Sequence, residues 1–146
     1  MSGKLRLAVL LSGTGRTLEN LISWQRRGEL DAEVVCVASN RLNVRGLELA
    51  REAGIPTRAF KLSAYENREQ RDGAMAWWVL GQGCDLVLLA GYLSLLDLAG
   101  FQGAVGSSLI IIGDKIDCQI AVELFRNRDR VCQDAGLVDI ADRVAV

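Results

Sequence analysis

The chain has 146 residues, 50% of them hydrophobic, with 17 basic against 18 acidic side chains and no histidine. That length suits one domain with a substantial core, and the balanced charge argues against a nucleic-acid carrier, which would show a basic surplus. Apolar runs fall well short of the ~20 residues that span a bilayer, and Leu5–Leu11 stops at Ser12-Gly13 without a signal-peptide pattern, so a cytoplasmic protein with small-molecule partners is expected.

Taken in chain order, the first element is Leu5–Leu11, a largely apolar run ended by a glycine turn, as in a strand covered on both faces. Thr17–Gly28 follows as a helix with Leu18, Leu21, Ile22 and Gln25 on one stripe and Gly28 to close it. Glu33–Ala38 is valine-rich and reads as a second strand. Val44–Ala53 is a helix stopped by Gly54, with Val44, Leu47 and Ala50 on one side, and Pro56–Phe60 is a short third strand. Asn67–Gln82 is a third helix, on which the spacing of Ala74, Trp77, Trp78 and Gly81 predicts a core-facing stripe. Asp85–Ala90 is the most apolar strand so far. Strand and helix alternating in this way predict a doubly wound, mainly parallel, Rossmann-like α/β domain. Ligands in such sheets sit outside the carboxyl ends of the strands, near the reversal of strand order.

Beyond Ala90 the pattern is less regular. Ser107–Ile112 reads as a fifth strand. Cys118–Leu124 alternates like a strand, although Ile116, Ile120 and Leu124 also fit a helical stripe, and polar Arg126–Arg130 reads as a loop. Neither repeats nor a linker divide the chain, so one domain is expected over 1–146. The four cysteines, Cys36, Cys84, Cys118 and Cys132, form no C-x-x-C pair. Without histidine a zinc site would need an unusual ligand set, so buried free thiols and no metal are expected.

The sharpest local feature is Ser12-Gly13-Thr14-Gly15-Arg16-Thr17, between the first strand and the first helix. Glycines permit a tight turn and a close ligand approach. A helix starting here aims unpaired N–H groups and a favourable dipole at the turn. Ser12, Thr14 and Thr17 add hydroxyls and Arg16 a cation, together a cradle for a monophosphate. The pattern is neither the dinucleotide G-x-G-x-x-G nor the Walker G-K-[ST], and a plain connecting turn is the competing reading.

Val9-Leu10-Leu11-Ser12-Gly13-Thr14-Gly15-Arg16-Thr17-Leu18 resembles V-L-I-S-G-x-G-S-N-L, the opening of the glycinamide ribonucleotide (phosphoribosylglycinamide) formyltransferase family. Three further pieces come in the family's order. They are Ser39-Asn40 at the end of the second strand, Gly46-Leu47 through Ala53-Gly54-Ile55-Pro56, and Arg68-Glu69 followed by Asp85-Leu86-Val87-Leu88-Leu89-Ala90-Gly91-Tyr92-Leu93. The resemblance implies formyl transfer from 10-formyltetrahydrofolate, as co-substrate, to the amine of glycinamide ribonucleotide in purine biosynthesis. It implies phosphate contacts from Ser12, Gly13, Thr14, Gly15, Arg16 and Thr17, helped by Arg68. Ala90, Gly91, Tyr92, Leu93, Leu95 and Leu96 would line the folate pocket, with backbone groups around Leu93 and Leu96 meeting the pterin; ordinary core below a loop is the alternative for these apolar residues.

The departures lie in the tail. The family's Asn-Ile-His-Pro, placed after the turn Phe101–Gly106, would put Ser107 at the asparagine and Leu109 at the histidine. Asp134-Ala135-Gly136 resembles the stretch that carries the catalytic aspartate, which Asp134 would then be, while Ala121 stands where the family shows another histidine. Without these donors transfer is expected to be weak or absent. A non-catalytic nucleotide- or sugar-phosphate-binding domain is the alternative function, and an artificially altered tail would read the same way.

Overall fold

The computed structural model describes residues 4–94 and, for the backbone alone, 109–112. Five strands form one sheet: β1 (Leu5–Leu11), β2 (Ala32–Ser39), β3 (Thr57–Ala59), β4 (Leu86–Leu89) and β5 (Leu109–Ile112). Their order is β3-β2-β1-β4-β5, and every neighbouring pair is parallel. The expected parallel sheet is therefore present. The ladders of β3 and β4 extend one residue or so beyond these strands. Val37 N donates to Pro56 O and Phe60 N to Ser39 O, while Asp85 N donates to Arg6 O and Ala90 N to Leu10 O.

Alternation along β1 explains how one strand serves two cores. Leu7, Val9 and Leu11 belong to the cluster that includes Leu18, Leu21, Leu47 and Ala50. Ala8 and Leu10 belong to the cluster of Cys36, Phe60, Met75, Ala76, Val79 and Val87. Helices α1 (Arg16–Arg26) and α2 (Arg45–Glu52) thus cover one face and α3 (Arg68–Gly81) the other. Right-handed crossovers require this when the order runs outward from β1 through β2 to β3 and then reverses to β4. Each fully buried leucine contributes roughly 1.5–3 kcal/mol, and Leu7, Leu10 and Leu11 are all at 0% exposure.

Helix ends follow the glycine reading. Gly28, at φ 71°, lets Glu29 N return to Trp24 O and closes α1. Asn67 caps α3, its side chain accepting from Gln70 N at 2.9 Å.

The face of α3 needs correction. Only half of the expected stripe faces the core: Ala74 and Trp78 are partly buried against the α3-side cluster, whereas Trp77 is 82% exposed and Gly81 is also exposed. Met75, Ala76 and Val79 are buried instead, continued toward the N-terminus by Arg71 and Asp72. A mutually neutralising charged pair hides the apolar register from any pattern that scores charge as exposed. Leu95, Leu96, Ser107, Ala121, Asp134, the segments Cys118–Leu124 and Arg126–Arg130, and the thiols Cys118 and Cys132 lie outside the described residues.

Candidate functional site

The turn after β1 lies between the carboxyl end of a central strand and the N-terminus of α1, where the strand order reverses. Helix α1 begins at Arg16, one residue before the position read from sequence, and Gly15 is its N-cap at φ 75° and ψ 28°. That left-handed conformation favours glycine, and a second constraint acts in parallel. A Cβ on Gly15 would lie 2.6 Å from Gly46 Cα, at the start of α2, while Gly46 N donates to Gly13 O at 3.0 Å. The turn is thereby pressed onto α2. No side chain caps α1, so the N–H groups of its first turn face the turn with the positive end of the helix dipole. Gly13 has open space where a Cβ would sit, Thr14 and Arg16 are exposed, and Thr17 is half-buried. Chemically this arrangement suits an anion.

Ser12 sits differently from its neighbours. It is 1% exposed, its hydroxyl donates to Asn40 Oδ1 at 2.5 Å, and the same oxygen accepts from Leu93 N at 2.8 Å. Its backbone N donates to Gly91 O at 3.1 Å. The single hydroxyl proton is therefore committed inside the protein, and Ser12 joins the carboxyl ends of β1, β2 and β4. Its partner Asn40 went unread as a structural residue; the available signal was a polar pair ending an otherwise apolar strand.

The segment after β4 forms the opposite wall. Ala90 is buried, Gly91 and Tyr92 are half-buried, and Leu93 is 72% exposed. Leu93 N–H is given to Ser12 Oγ at 2.8 Å. The Tyr92 hydroxyl lies 4.0 Å from Met75 Sδ. Burial pushes its phenol up to about 12 from the ordinary 10.0, and the Arg71, Asp72 and Arg68 charges also act on it. Arg68, exposed at the start of α3, is thus an electrostatic neighbour of Tyr92. Beneath the segment, Arg71 Nε donates to Asp72 Oδ1 at 2.6 Å and Nη2 donates to Ser94 Oγ at 2.8 Å. This pair carried no sequence motif.

The register of β5 corrects one placement. Leu109 pairs with Leu86 at the amino end of β4, whereas Ile112 pairs with Leu89 at the carboxyl end. A residue meeting ligand belongs at the carboxyl end, so Leu109 is at the wrong end of the strand to replace the family's histidine. Ile110-Ile111-Ile112-Gly113 has the Asn-Ile-His-Pro spacing in sequence, and Ile112 closes the strand at its carboxyl end; Ser107, two residues before the strand, falls outside the described residues. Among the described residues no group of three or more Cys, Asp or Glu could hold a metal ion, and no helix is long and apolar enough to cross a membrane.

A parallel sheet with helices on both faces and a glycine turn opening onto an uncapped helix at the strand-order reversal defines a doubly wound, Rossmann-like α/β protein. Within that class the chain belongs to the formyl transferase family, whose model matches residues 5–112. It is 34% identical to phosphoribosylglycinamide formyltransferase of Haemophilus influenzae over 106 residues, 73% of this chain and 50% of that protein. It is 41% identical over 93 residues to the human trifunctional purine biosynthetic protein adenosine-3, covering 64% of this chain and 9% of that one. The structure of glycinamide ribonucleotide transformylase 1 from Symbiobacterium toebii matches with a TM-score of 0.69 at 34% identity, over 75% of this chain and 50% of that one. The chain thus spans about half the length of these bacterial relatives.

Proposed function

We propose that this domain holds the phosphate of glycinamide ribonucleotide, or a closely similar sugar phosphate, in the turn Gly13–Thr17, and that formyl transfer by the chain alone is very slow or absent. The observation that carries the reading is the uncapped α1 N-terminus behind left-handed Gly15 at the strand-order reversal. Backbone N–H groups of the turn, the Thr14 and Thr17 hydroxyls and Arg16 would bind the anion. Ser12 would hold the turn in place. Arg68 would help with the phosphate, and the segment Ala90–Leu96 would face 10-formyltetrahydrofolate as co-substrate, with Asp134 available to orient the attacking amine. Cytoplasmic small-molecule chemistry without nucleic-acid or membrane partners completes the proposal.

Slow transfer follows from the chemistry. Amine attack on the formyl carbon builds a tetrahedral oxyanion and an ammonium that must lose a proton. One missing oxyanion donor costs ~10²–10³ in rate, and absent acid–base help another ~10²–10⁴. Ile110 and Ile112 offer neither, and the sequence has no histidine elsewhere. A spectroscopic assay of tetrahydrofolate release with glycinamide ribonucleotide should give background rates. Ile110→Asn with Ile112→His should raise them, and Ser107→Asn with Leu109→His should not. Robust wild-type turnover overturns the proposal of an inactive chain. In calorimetry, glycinamide ribonucleotide and ribose 5-phosphate should both bind, with affinity that falls as salt rises.

A further inference from the structure

The charged pair at the start of α3 has no part in the phosphate reading. Arg71 and Asp72 are both buried inside a cluster that is otherwise apolar. As a source of stability a buried ion pair is often no better than apolar residues of the same volume, so its geometry is the more informative property. The Arg71 fork points two ways: Nε meets Asp72, and Nη2 reaches Ser94, 23 residues later and past the end of β4. Tyr92, two residues before Ser94, has its hydroxyl beside Met75 on the same helix. Burial raises that phenol to about 12, and Arg71, Asp72 and a hydrogen bond with Ser94 all act on it, which places these groups together. From the other side Ser12 Oγ holds Leu93 N. The segment is therefore gripped from β1 and from α3 at adjacent residues.

We propose that Arg71, oriented by Asp72, is a positioning residue that tethers Ser94 and sets the backbone of Gly91–Ser94 in the shape a folate-type ligand meets. The ligand half rests on the reading of this segment as the folate side of the crevice. Arginine suits the task because its rigid planar fork directs donors along two fixed lines. Lysine supplies a point charge that can satisfy Asp72 without reaching Ser94 in the same geometry.

The test uses the full chain and Ser94→Ala, which removes the anchor and leaves Arg71 beside Asp72. Amide hydrogen exchange at Tyr92 and Leu93 should accelerate about tenfold, with Leu10 and Val87 unchanged. Affinity for 5-formyltetrahydrofolate should fall about tenfold, the worth of one charge-assisted hydrogen bond, while ribose 5-phosphate affinity stays within about twofold. Arg71→Lys should reproduce both effects. Unchanged exchange in Ser94→Ala overturns the tether. Faster exchange with unchanged 5-formyltetrahydrofolate affinity overturns the ligand role. A wild-type chain that binds ribose 5-phosphate but no 5-formyltetrahydrofolate overturns the folate reading and the ligand half with it, and the exchange measurement still decides the tether.

Discussion

The two walls of the crevice are built by opposite strategies. The turn Ser12–Gly15 owes most of its shape to backbone: a left-handed glycine, an adjoining helix start, and close approach to the backbone of Gly46. The segment Ala90–Ser94 is shaped by side chains distant in sequence, with Leu93 held by Ser12 from 81 residues away and Ser94 by Arg71 from 23. An anion needs N–H groups and a dipole, which any backbone provides once glycine allows the turn. The segment after β4 instead takes its shape from the buried side chains of Ser12 and Arg71, and on the proposed reading that shape would meet the larger ligand. The first wall should therefore break through backbone substitutions and the second through loss of distant polar partners.

The largest expected effect is on the second wall. Arg71→Met removes the guanidinium from beside a carboxylate that is 0% exposed, and should cost about 3–5 kcal/mol of stability in urea unfolding. The double change Arg71→Met with Asp72→Leu should recover most of that loss while leaving exchange at Leu93 fast. Recovery of both would show that the pair is merely structural.

High pH should act on the same side of the sheet. Burial raises the Cys36 thiol from 9.0 to about 12, with Cys84 adding to the rise, and burial raises Cys84 to about 11. Both lie in the α3-side cluster, and Tyr92 packs against it. For an acid whose folded pKa is raised, the stabilisation is complete below the unfolded value and disappears as pH climbs through the folded one. Stability should therefore hold up to pH 9 and decline between 9 and 12, by roughly 3 kcal/mol from Cys36 alone at about pH 11. Cys36→Ala should flatten that decline in a pH series of denaturant midpoints.

Gly15→Val attacks the first wall. It combines a left-handed φ of 75° with a Cβ 2.6 Å from Gly46 Cα, and should cost about 2–3 kcal/mol. Loss of phosphate binding in this variant would then report damage to the fold, which makes Gly15 a poor probe of the ligand.

The same contrast accounts for what the sequence made legible. Periodicity located the first four strands and three helices because each buries its own repeating apolar face, and the turn was readable because its glycines act locally. Where residues depend on distant partners, the pattern misled. The two tryptophans of α3 suggested a core stripe, yet Trp77 is exposed and the buried register runs through Arg71 and Asp72. Ser12 suggested a phosphate donor, yet its proton goes to Asn40, which no local spacing reveals. The register of β5 depends on which residue pairs with Leu86. A run of Leu-Ile-Ile-Ile carries nothing to mark that choice.

The smallest expected change in stability is the most informative about the first wall. Gly13 does not lie in the left-handed region, and a Cβ there meets nothing within 4 Å. Gly13→Ala should shift unfolding by less than about 0.5 kcal/mol, or stabilise slightly by restricting the unfolded chain. The open space is the one a phosphate would occupy in order to reach the N–H groups of the α1 start. A methyl group there should push the anion outward and lengthen its hydrogen bonds, lowering ribose 5-phosphate affinity about tenfold in calorimetry. Because the fold is untouched, affinity and stability separate in this variant as they cannot in Gly15→Val. Unchanged affinity with unchanged stability would falsify the cradle at Gly13 and leave the turn as a connection between β1 and α1.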